Sequence, residues 1–485
     1  MSTTIEKQPG YATSDKASFA WQTARERWPI IITQAIDDVY RSVHAVRDDA
    51  AKEDEGKAIV EKLARLKYEV QHDRALELIA DDGEPDVAAY NAELAQLNAA
   101  GPVTWLKAPW LYTECYLFRR MSTFFRTSEH WPRYDPYARQ KIRTFRSSRP
   151  AVLELAARYR DLMQQLEKKD SAAVPADVAE TLFAEMCEIC LWGNATDLSL
   201  LTNLTYEDIQ KLQGAEARRK AEANILVNDL PAAYSILTKA RDAAAASPSA
   251  ERRVDIVLDN AGFELYVDLI LAGYLLRAGL ATVVVLHPKN IPWFVSDVLP
   301  SDFGALLNAL ANPTSFYETP SAEEEHQGQP APAKLTEAER ADLAFLFGEW
   351  TQLYANGQVV LRPNIFWTQG GSFWRLPADA PELFADLQSS ELVVFKGDLN
   401  YRKLTCDYDW DPTTPFSEAI GPLGKADSGI NVLALRTCKA DVVVGLPAGR
   451  DEELRAADGG GGDSGQRKWA WNGKWAVVSC SQGKK

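Results

Sequence analysis

Polar side chains suited to metal and anion binding follow short apolar runs in the second half of the chain. Asp259 and Asn260 come directly after the β-branched run at residues 254–258. A carboxylate and an amide oxygen are both ligands that suit magnesium or manganese. Asp and Asn also favour ordinary turns at the ends of strands. The position therefore predicts a metal site beside a substrate phosphate, with a plain turn as the alternative.

A second polar segment follows the apolar run at residues 392–395. It contains, in order, Asp398, Leu399, Asn400, Tyr401 and Arg402. The guanidinium of Arg402 is a planar fork of donors that suits a phosphate or the oxygens of a sugar. The alternative is an ordinary polar loop with a surface salt bridge. Two acidic strand ends in one sheet favour the functional interpretation.

A third segment, Arg436-Thr-Cys-Lys439, precedes the run at residues 442–444, which we predict to be a strand. Two cations that flank a hydroxyl would attract an anion, which an acidic protein otherwise repels. Alone, such a pair is more typical of a solvated surface. Its weight comes from its combination with the two acidic strand ends.

The elements that position these residues change in character near residue 250. Residues 15–250 carry apolar side chains at helical spacing and predict a helical N-terminal domain. Residues 251–485 alternate buried runs with helical stretches, which predicts a catalytic α/β domain with a largely parallel, doubly wound, Rossmann-like sheet. Such sheets bind ligands at the carboxyl ends of their strands. We predict a helix after Pro292 and a hairpin at Asn472-Gly473.

Two stretches of the α/β half are predicted insertions. Residues 318–335 are acidic and contain prolines, and residues 457–466 are rich in glycine. The first composition is typical of a disordered loop and the second of a flexible spacer. Neither insertion interrupts one of the three polar segments.

Composition limits the classes of function. The chain has 485 residues, of which 46% are hydrophobic and 25% charged, as in soluble globular proteins. Its 53 basic and 68 acidic residues give a net charge of −15, which argues against binding nucleic acid or an anionic membrane. The six cysteines do not form a disulfide framework, and no apolar run is long enough to span a membrane. These features predict a cytoplasmic protein and are compatible with the nucleus.

The three polar segments together resemble a known family. Leu258-Asp-Asn-Ala-Gly-Phe-Glu264, Lys396-Gly-Asp-Leu-Asn-Tyr-Arg-Lys403 and Arg436-Thr-Cys-Lys439 occur in this order. They are similar to the metal-dependent damage-control phosphatases, in the subfamily marked by an Arg-Thr-x-Lys motif, also described as acidic-residue methyltransferases. Residues 19–29, 110–120 and 191–200 are similar to this family as well, so the resemblance extends from residue 15 to residue 480.

The resemblance implies a site composition. A divalent metal, Mn²⁺, Co²⁺ or Ni²⁺, with Mg²⁺ also suited to oxygen ligands, would be held by Asp259, Asn260 and Asp297. The substrate would contact Asp259, Asn260, Asp398, Leu399, Asn400, Tyr401, Arg402 and Lys439. The candidate catalytic residues are Asp259, Asn260 and Asp398, the last as the group that helps to activate water. Glu264 is the position that the methyltransferase description gives to S-adenosylmethionine.

These residues favour hydrolysis of a phosphorylated small molecule over two alternatives. The resemblance implies sugar phosphates such as fructose 1-phosphate and fructose 6-phosphate, in a damage-control role for metabolites. The first alternative is S-adenosylmethionine-dependent carboxyl methylation of protein glutamates. An adenosylmethionine site usually has a glycine-rich turn after the first strand, whereas this chain has one glycine, Gly262, at that point. The second alternative, a non-catalytic interaction protein, leaves the polar strand ends without a purpose.

Overall fold

The computed structural model describes residues 9–46, 48–168, 176–193, 222–244, 250–320 and 332–484. Seven strands in these residues form one sheet. In chain order they are β1 Ile225–Asn228, β2 Arg253–Val257, β3 Val283–His287, β4 Val359–Leu361, β5 Leu392–Lys396, β6 Asn431–Thr437 and β7 Ala476–Gln482. Their order in the sheet is β1-β7-β6-β5-β2-β3-β4.

The sheet is parallel except at one pair of strands. β6 pairs with β7 in antiparallel register, and every other neighbouring pair is parallel. The strand order reverses between β5 and β2, because β3 and β4 continue on one side of β2 and β6 follows on the far side of β5. The predicted doubly wound, largely parallel sheet is confirmed. Ligands of such sheets bind at the strand ends beside this reversal.

Helices cover both faces of the sheet. The α-helices of the described residues are Phe19–Gln22, Trp28–Ala45, Ala50–Gln71, Asp86–Leu97, Trp110–Arg126, Ala138–Ser147, Arg149–Lys168, Ala176–Gly193, Leu230–Ala243, Phe263–Arg277, Pro300–Ala311, Pro313–Tyr317, Glu337–Ala355, Leu376–Asp379, Pro381–Leu387, Gly397–Leu404, Phe416–Ala419 and Arg450–Ala456. Thr23–Arg27 form a π-helical turn, and 3₁₀ turns lie at Asn98–Ala100, Glu222–Asn224, Ile365–Thr368, Phe373–Arg375, Gly421–Gly424, Gly462–Ser464 and Lys468–Ala470. Within the described residues, no helix combines the length and apolarity that a membrane crossing requires.

Alternate side chains of each strand enter two different cores. Val257 and Phe395 pack with the N-terminal helices, including Trp110–Arg126, on one face. Ile256 and Val394 pack on the other face with helices that include Phe263–Arg277. Because strand side chains alternate with period two, both faces of each central strand need apolar residues. The uninterrupted β-branched runs in the sequence are explained by this double burial.

Two sequence predictions in the α/β half are wrong for reasons of backbone hydrogen bonding. Residues 442–444 are not a strand; the Arg436 guanidinium donates to the carbonyls of Ala440 and Val442, where a ladder would otherwise form. Asn472-Gly473 does not make a hairpin, because the Gly473 N–H donates to the Cys438 carbonyl at 3.0 Å. Strand β7, which follows, pairs with β6 instead.

Two further local predictions differ from the structure. The helix expected after Pro292 begins at Pro300, because Phe294 and Val295 have φ angles of 44° and 71°, which no α-helix allows. Strand β1 lies inside the range predicted to be helical and pairs with β7. Of the predicted insertions, residues 321–331 lie outside the described residues, as do residues 194–200 of the family-like segment at 191–200.

A network of charged side chains joins β2 to β3 and to the helix Pro381–Leu387. Arg253, in β2, donates to the Asp255 carboxylate at 2.7 and 2.9 Å and to the Asp386 carboxylate at 2.9 and 2.7 Å. His287 Nε2 lies 2.6 Å from Asp255 Oδ1. The hydrogen bonds from Arg253 hold the pKa of Asp386 at about 2. This guanidinium therefore joins the central strand to the helix Pro381–Leu387.

We expect Asp386→Asn to lower the free energy of unfolding by about 1 kcal/mol at pH 7, a value reduced for partial exposure of the carboxylate. The pKa of Asp386 lies below its ordinary value of about 3.9, so the ionised form is stabilised by folding. The stabilisation from the ionised Asp386 carboxylate is fully present above the ordinary pKa of about 3.9. It is lost as the pH falls toward 2. Urea unfolding of wild type and variant from pH 7 to pH 3 measures the difference, which narrows below pH 4.

The matched control is Glu382→Gln, which removes an exposed carboxylate from the same helix. We expect it to change the free energy of unfolding by less than about 0.5 kcal/mol. An Asp386→Asn difference that stays constant with pH would contradict the proposed ion pair.

Candidate functional site

A cleft lies at the carboxyl ends of β2 and β5, where the strand order reverses. Its volume is about 410 Å³ including the open mouth. The residues that line it are Arg27, Trp110, Glu114, Asp259, Phe294, Asp297, Asp398, Leu399, Arg402 and Lys439. The three aspartates and Lys439 follow strands of the sheet, whereas Arg27, Trp110 and Glu114 come from the N-terminal helices. The sheet and one helical layer therefore form the cleft together.

Backbone hydrogen bonds join the loop after β2 to the loop after β3. The Ala261 N–H donates to the Ser296 carbonyl at 2.7 Å, and the Val298 N–H donates to the Asp259 carbonyl at 2.8 Å. Between them, Asn260 and Asp297 form an isolated β-bridge. These bonds bring Asp297 to the edge of the sheet that carries Asp259 and Asn260, as the family resemblance implies.

The turn that delivers Asp297 has an unusual backbone. Phe294 and Val295 both have positive φ angles, and Val295 is β-branched. A β-branched residue rarely adopts this conformation, which costs free energy wherever it occurs. The side chain of Val295 is buried, and the Phe118 and Phe294 rings stack at 4.7 Å. Packing in the N-terminal helical layer thus holds the strained turn in place.

The amide of Asn260 is held at both of its ends. The Ser296 hydroxyl donates to Asn260 Oδ1 at 2.5 Å. Asn260 Nδ2 donates to Glu264 Oε2 at 2.7 Å and to Asp259 Oδ2 at 3.1 Å. Since a carboxylate only accepts hydrogen bonds, these contacts fix which end of the amide is oxygen. Asn260 is buried directly behind Asp259.

The Asp259 carboxylate also lies against the backbone after β5. Gly397 has a φ of 82°, and a Cβ built on it would lie 1.8 Å from Asp259 Oδ2. Only glycine permits this approach, since any side chain would displace the carboxylate. The helix Gly397–Leu404 begins at this point and carries Asp398 in its first turn. The polar segment at residues 398–402 therefore lies in a short helix and not in a loop.

Asp398 fastens the Arg-Thr-x-Lys segment to this helix. Its Oδ1 accepts from Arg436 Nε at 2.7 Å and from the backbone N–H of Lys439 at 2.9 Å. Arg436 is fully buried with its guanidinium 4.2 Å from the centre of the Tyr401 ring. The motif begins with the last two residues of β6 and continues into the loop after it, rather than preceding a strand at residues 442–444. Arg436 acts as a structural clamp, and Lys439 is the cation of the motif that lines the cleft.

Arg402 is bound by two carboxylates within the protein. It donates to Asp407 through Nε at 3.1 Å and Nη2 at 2.9 Å, and to Glu114 through Nη1 at 2.7 Å. Its guanidinium lies 3.6 Å from the centre of the Trp110 ring. The charge of Arg402 is thus balanced before any anion binds. Its contacts hold the helix Trp110–Arg126 against the strand ends.

Three other predicted site residues lie behind the cleft. Asn400 Nδ2 donates to the carbonyl of Lys396 at 2.7 Å and closes the junction between β5 and β2. The Tyr401 hydroxyl accepts from the Val444 N–H at 3.2 Å. Glu264 is completely buried and bonded to Asn260. The cleft itself is lined by six of the predicted residues: Asp259, Asp297, Asp398, Leu399, Arg402 and Lys439.

Sequence reasoning missed the residues from the N-terminal helices. Arg27 ends the π-helical turn Thr23–Arg27, and such turns are frequent at functional sites. Glu114 had a readable signal, because an acidic residue within the aromatic segment at 110–118 needs a buried partner. Its partners are Arg402 and the Trp28 indole, which donates to Glu114 Oε1 at 3.1 Å.

The side chains at the sheet edge fit a hard divalent cation. Asp259 and Asp297 line one cleft, and Asn260, which is buried and bonded to Asp259, carries an amide oxygen; carboxylate and amide oxygens are the donors that such ions prefer. Gly397 leaves room for the Asp259 carboxylate. The described residues hold no group of three or more His, Cys, Asp or Glu side chains arranged for a metal. A cation here would rest on two carboxylates, one amide and oxygens from solvent or substrate.

Comparisons with known proteins agree with the motifs. Residues 23–454 match the family model described as the damage-control phosphatase ARMT1-like domain. The damage-control phosphatase ARMT1 of Xenopus laevis is 34% identical, covering 97% of this chain and 98% of that protein. The Danio rerio protein of the same name is 33% identical over 96% and 95% of the two chains, and the Homo sapiens protein is 31% identical over 96% of each.

A solved structure of a DUF89 family protein from Pyrococcus horikoshii is 14% identical, with a TM-score of 0.36 over 82% of this chain and 90% of that chain. The family assignment rests on the sequence matches, which span nearly the whole chain. The resemblance stated from the three motifs is confirmed, and this chain belongs to the ARMT1-like damage-control phosphatases.

Proposed function

We propose that this protein is a metal-dependent phosphatase that hydrolyses phosphomonoesters of sugar phosphates, such as fructose 1-phosphate and fructose 6-phosphate. The observation that carries the proposal is that Asp259, Asp297 and Lys439 line one cleft at the strand ends. When bound, a divalent ion such as Mn²⁺, Co²⁺, Ni²⁺ or Mg²⁺ supplies positive charge to the phosphoryl oxygens. The name of the relatives, damage-control phosphatase, supports the reaction class.

The residues of the chain have separable roles in this proposal. Lys439 offers an ammonium group to the phosphoryl oxygens, whose charge must be balanced during transfer. Asp398 positions Lys439 by accepting its backbone N–H through Oδ1. Its second oxygen, Oδ2, is the atom that orients the attacking water and accepts its proton. One carboxylate thus contributes both to the position of the cation and to the activation of water.

The lining of the cleft supports a polyhydroxylated substrate. Glu114 and Asp398 are two carboxylates that line the cleft, and each has lone pairs beyond those used by its protein partners. Sugar hydroxyls are donors that such oxygens accept. The Trp110 ring lines the same cleft and is buried, with the Arg402 guanidinium 3.6 Å from its centre. A hydroxylated body with one phosphate end matches this distribution of acceptors and cations.

Methyl transfer receives no comparable support from the geometry. The alternative requires Glu264 to contact S-adenosylmethionine. Glu264 is completely buried, and its two oxygens bind Lys396 at 2.8 Å and Asn260 at 2.7 Å. A cofactor would have to break both contacts to reach it. We therefore keep hydrolysis as the proposed reaction.

The test is phosphate release from a panel of sugar phosphates by protein stripped with chelator and reloaded with Mn²⁺, Co²⁺, Ni²⁺ or Mg²⁺. We expect release that depends on the metal and falls on the order of 10³-fold in Asp259→Ala. The control is Asp411→Ala, which removes an exposed carboxylate outside the cleft and should retain full activity. Wild type that releases no phosphate with any metal, or an active Asp259→Ala, would contradict the proposal.

A second prediction concerns the close approach of Asp259 to Gly397. Gly397→Ala places a Cβ on Asp259 Oδ2, so we expect activity to fall at least about 10-fold, with weaker Mn²⁺ binding by calorimetry. Gly445→Ala is the matched control: its φ is 81°, as strained as the 82° of Gly397, but the nearest atom to its Cβ is at 3.9 Å. Both variants should lose about 1 kcal/mol of stability. Equal activities in the two variants would refute the role of the contact.

A third prediction concerns Arg27, the cation that the π-helical turn directs to the cleft. In the proposed function it binds the phosphate end of the substrate, so Arg27→Gln should raise KM about 10-fold with a smaller change in kcat. Arg41→Gln, on the exposed side of the helix Trp28–Ala45, is the control for loss of charge. Melting temperatures show whether the variant is folded. An unchanged KM in Arg27→Gln would refute the role of Arg27 in binding the phosphate.

A further inference from the structure

A buried network of charges lies beneath the cleft and contacts the Asn260 amide. Lys396 Nζ is 2.8 Å from Glu264 Oε1 and 2.6 Å from Asp268 Oδ1, and all three side chains are 0% exposed. The Cys190 thiol donates to Asp268 Oδ1 at 2.9 Å. Lys396 ends strand β5, and the two carboxylates lie on the helix that follows β2. The network therefore joins the two strand ends that border the cleft.

Stability alone does not account for these buried charges. Moving an ammonium and two carboxylates out of water costs several kcal/mol for each ion, and well-packed apolar residues of similar volume often serve equally well. The surrounding helix Phe263–Arg277 is otherwise a buried apolar segment. A charged network in such a position calls for a contact that apolar residues cannot make.

That contact is the one between Glu264 and Asn260. Glu264 Oε2 accepts from Asn260 Nδ2 at 2.7 Å and from the Asn260 backbone N–H at 3.3 Å. A carboxylate only accepts, so it forces the NH₂ end of the amide inward and leaves Oδ1 on the Ser296 side. Lys396 supplies the opposite charge that a buried carboxylate requires.

We propose that Glu264 and Lys396 are positioning residues for the metal ligand Asn260, and that their ion pair sets the metal affinity by fixing the orientation of the amide oxygen. Mutation of a residue that hydrogen-bonds to a metal ligand commonly weakens metal affinity about 10- to 100-fold. The inference rests on the proposed function, since it requires a metal on Asn260. It gives Glu264 a role other than contact with adenosylmethionine.

The network contains its own matched control. Glu264 and Asp268 are equally buried and bind the same Lys396 ammonium, but the contacts to Asn260 come from Glu264. Glu264→Gln and Asp268→Asn each remove one of the negative charges that bind the Lys396 ammonium. A glutamine amide has one oxygen and one NH₂ group. In Glu264→Gln, either Lys396 or Asn260 therefore faces the NH₂ group and loses its acceptor. Asp268→Asn leaves the Asn260 contact intact.

The experiment is calorimetric titration of Mn²⁺ into full-length protein stripped with chelator. We expect Glu264→Gln to weaken Mn²⁺ binding about 10- to 100-fold and Asp268→Asn by less than about threefold. Urea unfolding in chelator measures how far each variant is destabilised without metal. Equal losses of affinity in the two variants, or wild-type affinity in Glu264→Gln, would overturn the inference.

A further variant separates charge from contact if Glu264→Gln does not fold. Glu264→Asp keeps the negative charge beside Lys396 but is one methylene shorter, so it withdraws from the Asn260 amide. It should weaken Mn²⁺ binding as Glu264→Gln does, and wild-type affinity in this variant would also overturn the inference. Wild type that binds no Mn²⁺ is a separate result, because it refutes the metal in the proposed function itself.

Discussion

The close approach of the Asp259 carboxylate to the backbone of Gly397 is the constraint on which the site depends. The ends of β2 and β5 meet there, where the strand order of the sheet reverses, and a Cβ at position 397 would occupy the position of the carboxylate oxygen. Asn400 closes the same junction by donating to the carbonyls of Leu258 and Lys396. The acidic groups of two strands therefore share one small volume, and the protein must balance their repulsion with buried cations.

The balance of charge around the cleft follows a consistent pattern. Arg436 binds Asp398, Arg402 binds Glu114, and Lys289 Nζ lies 3.2 Å from Asp297 Oδ2. These ion pairs are buried, so their charges are already oriented when a substrate enters and little reorganisation is needed. The net charge of −15 does not by itself oppose an anion in this cleft, because the local field, rather than the total charge, acts on a ligand.

The sequence was sufficient to predict the central strands and the carboxylates at their ends, because local chemistry and sheet topology agree there. Uninterrupted β-branched runs predicted the central strands because both faces are buried, and parallel sheets expose their ligands at the strand ends, where Asp259 and Asp398 stand. The strand prediction failed where a side chain, and not a neighbouring strand, binds the backbone. The Arg436 guanidinium donates to the carbonyls of Ala440 and Val442. Arg27 and Glu114 were missed because they reach the cleft from a helical layer distant in the chain. The aromatic segment around Glu114 indicates a buried partner for this carboxylate, but no local pattern identifies that partner as Arg402.

Motif membership also does not reveal which side chain meets a ligand. Asp398 and Lys439 line the cleft, whereas Asn400 and Glu264, which belong to the same family-like segments, are buried and bonded to other protein groups. Under the proposed function both kinds of residue are constrained, the first by the reaction and the second by the geometry that the reaction requires. In the proposed function, the sheet edge supplies the phosphate chemistry, and the helical walls with Trp110 and Glu114 contact the rest of the substrate. Differences in substrate range among relatives should therefore follow changes in this helical layer more closely than changes at the strand ends.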